Sequence, residues 1–364
     1  MKIIQVVGAR PNFMKVAPIH KALQAYPQVQ DLLVHTGQHT EAAMSDVFFK
    51  QLGLKLPDFF LGVTADSPNA MVAKIMLEFE KILVEEKPDR VVVVGDVNST
   101  LACALTAARC GVPVAHVEAG LRSWDRDMPE EINRILTDQI SDDLFVTEAQ
   151  AVKNLRNENI PEEKIHFVGN CMIDSLVSLL PIVDANPIAS ELKLRDEPFA
   201  LMTMHRPSNV DTDAGLEKLL HLIRSVAASV KLLFPVHPRT KNRLEHFGKW
   251  KALNSIPNLV CTGPLGYVEF IRLLKSCELI LTDSGGVQEE STFLNVPCLT
   301  FRKSTERPVT VEIGTNILLD DLDVDQTMQE VAKLLKGHRK PASVPELWDG
   351  RAAERIASIL VKAS

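Results

Sequence analysis

The sequence predicts an α/β fold made of two doubly wound domains that face a central cleft. Three observations predict it. The 364 residues supply about two domains at roughly 150 residues each. Short β-branched runs alternate with longer helical patterns, the rhythm of strands joined by crossover helices in a parallel sheet. The second half of the chain then repeats the plan of the first.

In the first half, strands are predicted at Lys2–Val7, Asp31–Thr36, Arg90–Val94, Val114–Val117, Asp143–Val146 and Ile165–Val168. Each is too short and too apolar to be half-exposed, as suits strands covered on both faces. Helical patterns fill the intervals, among them Met71–Glu86 and Thr100–Arg109, the latter stopped by Gly111 and Pro113. In the second half, strands are predicted at Phe199–Thr203, Lys231–Pro235, Leu259–Cys261, Leu279–Thr282, Cys298–Thr300 and Thr315–Leu318. Between the halves, Asn170–Pro198 carries Pro181, Pro187 and Pro198 without a strong strand, so the hinge is expected there. This gives one domain over residues 1–169 and a second over 170–346. A helical pattern at Leu347–Ala363, after the Lys/Pro-rich stretch Gly337–Pro345, is expected to pack back onto the first domain. Two Rossmann-like domains so arranged open a cleft lined by the carboxyl ends of both sheets, where such folds bind ligands.

Composition narrows the function. At 46% hydrophobic and 24% charged residues, the chain is neither disordered, nor collagen-like, nor a disulfide scaffold. Forty Lys and Arg stand against 47 Asp and Glu, a net charge of −7 that argues against general nucleic-acid binding. Six cysteines (Cys103, Cys110, Cys171, Cys261, Cys277, Cys298) are scattered without a C-x-x-C pair and read as buried, reduced thiols. No apolar run approaches the roughly 18 residues of a membrane span. Residues 1–10 lack the features of a signal peptide. A cytoplasmic enzyme is expected, with neither nucleic acid nor membrane as partner.

Chemistry is expected where strands end, and it appears there repeatedly. After the first strand, Gly8 permits a turn, and Arg10 and Lys15 bring two cations to a helix start, which suits a phosphate. The same residues also suit an ordinary surface helix. Neither a P-loop nor G-x-G-x-x-G is present, so neither a Walker-type nucleotidase nor a nicotinamide cofactor is indicated. A stronger phosphate signal runs from Thr282 to Glu290. There an apolar strand ends, Gly285 and Gly286 let a ligand approach the backbone, and a helix N-terminus offers free N–H groups. Glu289 and Glu290 follow about one turn later, where a carboxylate reaches ribose hydroxyls. Ser284 or Asp283 can cap this helix at the same time.

Acid–base candidates close the other strands. Asp96 follows Arg90–Val94, and Glu118 follows Val114–Val117. Glu130 and Glu131 open a further helix, where Glu130 and Arg134 stand at i, i+4 and can pair. Carboxylates grouped in a partly dry site push their pKa values apart, giving one acid and one base. Capping or helix-start roles are the competing readings, Asp96 as an N-cap among them. In the second half, His205 and Arg206 follow one strand and His237 ends the next, and a histidine there can shuttle a proton to a leaving phosphate. No H-E-x-x-H or comparable spacing occurs, so no metal site is expected. Arg302 and Arg307, the latter within Thr305–Pro308, add two guanidinium groups near a strand end, with a surface ion pair as the plainer reading.

Taken in order, GARPNFMK, GDVNSTLA, HVEAGLRS, MPEEINR, MHR, TDSGGVQEE and TERP resemble the non-hydrolysing UDP-N-acetylglucosamine 2-epimerases over essentially the whole chain. The resemblance implies a glycosyltransferase-B-like pair of Rossmann domains, a homodimer, and interconversion of UDP-GlcNAc and UDP-ManNAc without a redox cofactor. It implies acid–base roles for Asp96, Glu118, Glu130 and His205, and positioning roles for Arg10, Lys15 and Arg134. Ser284, Gly285 and Gly286 become the diphosphate cradle, Glu290 the ribose contact, Phe270 a neighbour of the uracil, and Arg307 a further nucleotide ligand. Gln38, His39, Arg206 and His237 stand beside these as further candidates. The chain departs from the family where Asn12 replaces a frequent Glu and where Pro207 and Ser208 follow the His-Arg pair. The pattern Thr40–Met44 after Gln38 and His39 also differs from members activated by UDP-GlcNAc, so such activation is not expected. The sugar can equally be a relative of GlcNAc, such as a 2,3-diacetamido uronic acid or a 6-deoxy hexosamine. A hydrolysing 2-epimerase, a glycosyltransferase of the same fold and a catalytically silent nucleotide-sugar sensor are the competing functions.

Overall fold

The computed structural model describes residues 1–37, 52–194 and 197–362. The chain forms two compact units, Met1–Ser178 with Glu346–Ser364, and Leu179–Pro345. In the first unit, β1 (Lys2–Val7) leads into α1 (Arg10–Leu23), followed by β2 (Gln30–His35), β3 (Phe59–Phe60) and α2 (Pro68–Glu86). Next come β4 (Arg90–Val94), α3 (Asn98–Arg109), β5 (Val114–Ala119) and α4 (Pro129–Ile140). The run closes with β6 (Asp143–Val146), α5 (Ala149–Asn157), β7 (Ile165–Phe167) and α6 (Cys171–Ala185). The division between units falls inside α6, not at residue 169, so the proline-bearing stretch is helical where it leaves the first unit.

All pairings in this unit are parallel, in the order β3-β2-β1-β4-β5-β6-β7. The order reverses between β1 and β4, which leaves a crevice at their carboxyl ends. Both faces of the sheet are covered. Ile3, Val7, Val92 and Val94 belong to one apolar layer, while Ile4, Val6, Val91 and Val93 belong to the other. This two-residue alternation with apolar side chains on both sides explains why these strands read as continuous apolar runs. The two-residue β3, paired only with β2 at the sheet edge, carries no such run and was not predicted.

The second unit begins with the short α7 (Ile188–Glu191), β8 (Phe199–Thr203), the short α8 (Pro207–Val210) and α9 (Asp213–Ala227). It continues with β9 (Lys231–Pro235), α10 (Pro238–His246), α11 (Trp250–Asn254), β10 (Leu259–Thr262) and α12 (Tyr267–Ser276). Then follow β11 (Leu279–Thr282), α13 (Gly285–Phe293), β12 (Cys298–Phe301), α14 (Pro308–Glu312), β13 (Asn316–Leu319) and α15 (Val324–Leu335). The order β10-β9-β8-β11-β12-β13 is again parallel and reverses between β8 and β11. Each unit is therefore a doubly wound Rossmann-type sheet.

The last helix, α16 (Ala352–Lys362), returns to the first unit, where Ala352, Ile356, Ala357 and Leu360 join the layer that holds Ile3 and Val7. It starts at Ala352, not at Leu347, because Leu347 (φ +60°) and Gly350 (φ +78°) both adopt left-handed backbone. The turn buries Trp348, whose Nε1 donates to the Thr147 carbonyl at 3.0 Å. Asp174 on α6 accepts from the N–H groups of Ala352 (3.2 Å) and Ala353 (2.7 Å), so a side chain distant in sequence caps the helix. Four of the cysteines are buried, but Cys110 is exposed and Cys261 half-buried, which corrects the reading of all six as core thiols. Among the described residues no helix is long and apolar enough to cross a membrane.

Trp348 anchors this return on apolar packing and one hydrogen bond. Trp348→Ala is expected to lower stability by about 3–5 kcal/mol in urea unfolding. Trp348→Phe, which loses the indole donor and only part of the ring's bulk, should cost less, about 1–3 kcal/mol. Equal losses for the two variants would show that the hydrogen bond alone holds the turn.

Candidate active site

In the first unit, the loops after β1, β4 and β5 carry the predicted residues. Gly8 ends β1 with the side chains of Ser99 and Thr36 packed where a Cβ would stand. Asn12 takes over the local capping. Its Oδ1 accepts from the N–H groups of Gly8 (3.0 Å) and Ala9 (2.9 Å), and its Nδ2 donates to the Val94 carbonyl. Arg10 opens α1, and Lys15 lies one turn further on. Gln38 and His39 lie outside the described residues.

Lys15 forms a buried ion pair with Glu118. Glu118 has φ +73°, and the β5–β6 register shifts between Val117 and Ala119, so it is the extra residue of a bulge. A bulge re-aims the side chain at the end of a strand, and a left-handed non-glycine residue costs about 1–3 kcal/mol. Gly95 (φ +68°) belongs to the same spot, since a Cβ there would come 3.0 Å from Lys15 Nζ. Asp96 follows it, three-quarters buried by its side chain. Arg134 donates to Asp96 Oδ2 from both Nε (3.0 Å) and Nη2 (2.7 Å). Both bonds fall on the same carboxylate oxygen. The N-cap of α3 is Val97, so Asp96 is not the cap that the sequence allowed.

Arg134 also donates to Glu131 (2.6 Å), which corrects the expected pairing with Glu130. Glu131 is buried and accepts from Ser123 N–H (2.9 Å), Ser123 Oγ (3.0 Å) and Trp124 N–H (2.9 Å). Burial alone would raise its pKa, but these donors and Arg134 hold it below the usual carboxylate range. Glu130 sits exposed on the first turn of α4. The structure thus gathers Lys15, Glu118, Asp96 and Arg134 at the switch point and sets Glu130 on the surface beside them.

In the second unit, His205 and Arg206 follow β8, His237 follows β9, and Asp283 and Ser284 follow β11. Asp283 is fully buried and accepts from the N–H groups of His205 (3.0 Å) and Arg206 (2.8 Å) and from Asn209 Nδ2 (3.0 Å). His205 Nδ1 stands 3.1 Å from the same carboxylate. Burial opposes ionisation of Asp283, yet His205 and the N–H donors hold its pKa below the ordinary value. The ring itself is partly exposed. The ring of His237 lies 5.1 Å away, and its Nδ1 accepts from Arg239 N–H, capping α10.

Ser284 is the N-cap of α13 without a side-chain bond, and no acidic residue occupies the first turn. A Cβ on Gly285 would come 3.0 Å from the Glu306 carboxylate and 3.3 Å from Arg307, a tight fit, whereas a Cβ on Gly286 would meet nothing. Glycine at 286 therefore answers no demand of the protein itself. Glu290 is buried, and burial together with this carboxylate pushes the Tyr267 hydroxyl well above its ordinary pKa. Tyr267 starts α12, which sets half-buried Phe270 one turn on. Arg302 and Arg307 are not a surface pair. Both are buried and share Glu306, and Arg307 also contacts Glu289. The sequence reading missed Asp283 as the seat of His205 because the two lie 78 residues apart. The only local signal was an acidic residue closing an apolar strand.

A depressed pKa gives a sign to the pH dependence. The stability Asp283 contributes is present above its unfolded value of about 3.9 and is lost as pH falls through the lower folded value. The melting-temperature gap between the native protein and Asp283→Asn should be widest above about pH 5 and close in more acidic buffer. A gap independent of pH would remove the ionised carboxylate from this account.

Known proteins share this fold and much of this sequence. A family model described as UDP-N-acetylglucosamine 2-epimerase matches residues 21–361. The UDP-N-acetylglucosamine 2-epimerase of Methanocaldococcus jannaschii is 41% identical over 365 residues, 99% of each chain. A crystal structure of that protein in complex with UDP-GlcNAc and UDP matches with a TM-score of 0.91 over the whole of both chains. A UDP-2,3-diacetamido-2,3-dideoxy-D-glucuronate 2-epimerase of Pseudomonas aeruginosa is 39% identical over 370 residues, all of both chains. A lipopolysaccharide outer core galactosyltransferase, at 13% identity and a TM-score of 0.56, shares the glycosyltransferase-like fold alone. With nearly its whole length matched, this chain belongs to the UDP-N-acetylglucosamine 2-epimerase family, whose members are isomerases.

Proposed function

We propose that the protein inverts C2 of a UDP-2-acetamido sugar, UDP-GlcNAc or a close relative, by eliminating UDP and adding it back. The observation that carries this reading is the set of carboxylates at the β4 and β5 ends, Asp96 and Glu118, each seated against its own cation. The M. jannaschii relative crystallised with UDP-GlcNAc and UDP supports the substrate class. The diacetamido-glucuronate relative keeps a modified sugar in view.

The C2 proton has no adjacent carbonyl and is only weakly acidic, so direct removal would leave a free carbanion. Elimination avoids it. A carboxylate takes the C2 proton while the C1–O bond to UDP breaks, its electron pair leaving with the diphosphate. A C1–C2 double bond forms, giving 2-acetamidoglucal. A proton then returns to the opposite face of C2, and the UDP oxygen rebuilds the bond at C1. Hydrogen leaves and returns as a proton, so the cycle consumes no redox equivalent.

Asp96, Glu118 and Glu130 are the proton carriers at the sugar in this scheme, with Lys15 and Arg134 keeping the carboxylates in place. Ser284, Gly285 and Gly286 present backbone N–H groups and the positive end of α13 to the diphosphate. Arg10, Arg206 and Arg307 add positive charge, Glu290 takes the ribose hydroxyls and Phe270 flanks the base. His205, fixed by Asp283, exchanges a proton with the departing phosphate through Nε2.

Incubated with UDP-GlcNAc in heavy water, the protein should place deuterium at C2 and yield UDP-ManNAc, read by proton NMR. Free ManNAc with stoichiometric UDP would select the hydrolysing alternative. Unlabelled substrate across a panel of UDP-2-acetamido sugars would overturn the proposal. Asp96→Asn should slow exchange by about 10²–10⁴-fold.

Gly286→Ala offers a separate check on the cradle. The open space leaves the fold intact, and alanine is about 0.5–1 kcal/mol better than glycine inside a helix. Melting temperature should hold or rise while UDP affinity, measured calorimetrically, falls. Undiminished affinity would move the diphosphate away from α13.

A further inference from the structure

Behind the acid–base residues lies a buried group to which the proposed chemistry assigns no role. His116 lies in β5 with no exposed surface. Its Nδ1 stands 2.7 Å from Asp138 Oδ1 and its Nε2 stands 2.8 Å from the Gly95 carbonyl oxygen. A carbonyl has no proton to give, and neither does an ionised carboxylate, so a ring making both bonds donates from both nitrogens. Asp138 is equally buried and also meets Arg122 Nη1 (2.7 Å) and the Gly120 N–H (3.1 Å). Burial raises its pKa, but His116 and Arg122 together hold it below the ordinary carboxylate value. Arg122 is fixed in turn by Glu158, through Nε at 2.7 Å and Nη2 at 2.6 Å.

Each anchor of this unit adjoins a residue of the site. Gly95 immediately precedes Asp96, Gly120 follows Glu118 by two residues, and Asp138 stands one turn beyond Arg134 on α4. Asn133 on the same helix donates to the Asp96 carbonyl at 2.9 Å. The backbone on both sides of Glu118 and ahead of Asp96 is therefore tied to a single charged brace. Mere filling of β5 does not call for it, since its neighbours Val114, Ala115 and Val117 fill that strand with apolar side chains. Buried charge is weak support for stability, because the desolvation of each ion offsets most of the attraction between them.

We propose that His116 is a positioning residue: by bridging the Gly95 carbonyl and the Asp138 carboxylate, it sets Asp96 against the Glu118 bulge for proton transfer at C2. This rests on the epimerase reading. A displacement of about 1 Å in such a site costs on the order of 10²-fold in rate. Substrate is held largely by groups that His116 does not touch, so the loss belongs in kcat and not in KM.

Two experiments test it. In His116→Gln, one amide cannot span both acceptors, so kcat and C2 deuterium exchange should fall together by about 10- to 100-fold, with KM for UDP-GlcNAc within about twofold. Asp138→Asn, nearly isosteric, should show the same split. A variant that melts earlier yet keeps its kcat overturns the positioning role. Native protein that binds UDP but exchanges no C2 proton overturns the epimerase reading instead, so the two failures are distinguishable.

Discussion

The ion pair between Lys15 and Glu118 sits where three strand ends of the first unit converge, and it imposes costs from two directions. Both charges are buried, and Glu118 holds a left-handed backbone inside a bulge. Intact, such a pair adds little to stability, but removing either partner costs about 3–5 kcal/mol because the other charge is left buried and alone. The strained backbone costs about 1–3 kcal/mol more. An apolar pair would stabilise this spot at least as well. What the arrangement supplies is direction: a carboxylate fixed at the rim of a parallel sheet, beside the strand end that carries Asp96. Gly8, Asn12 and Gly95 are then the residues that allow α1 to come close enough for Lys15 to reach it.

The two units use one topology for different ends. In both, the proposed chemistry lies on the loops beside the strand-order reversal, because helices cover the sheet faces and leave the carboxyl ends open. In the first unit those loops are acidic and are steadied by arginine and lysine. In the second they bring together a helix N-terminus, two glycines and a histidine seated on a buried aspartate. Asp283 links these features, since it accepts from His205 while the next residue caps α13.

Much of this was legible from residue order because strands buried on both faces leave uninterrupted apolar runs. β1, β4, β6, β8, β9 and β11 fall where those runs lie. β3 has two residues and one neighbour, so no run marks it. The start of the last helix was misread because Leu347 adopts a left-handed conformation that its side chain does not announce. The pairing of Arg134 with Glu131 in place of Glu130 has a different reason: spacings of four and three both place side chains on one helical face. Only the N–H groups of Ser123 and Trp124, already waiting for an acceptor, draw Glu131 inward. Contacts across long separations, such as His205 with Asp283 or His116 with Gly95, carry no periodic signature at all.

The return of α16 to the first unit has a consequence for how the chain is made. The apolar layer that holds Ile3 and Val7 is finished only by residues from 352 onward, which leave the ribosome after the whole of the second unit. Domains generally fold as units during synthesis. The second unit, contiguous in the chain, is thus able to close while the first still shows an open greasy flank.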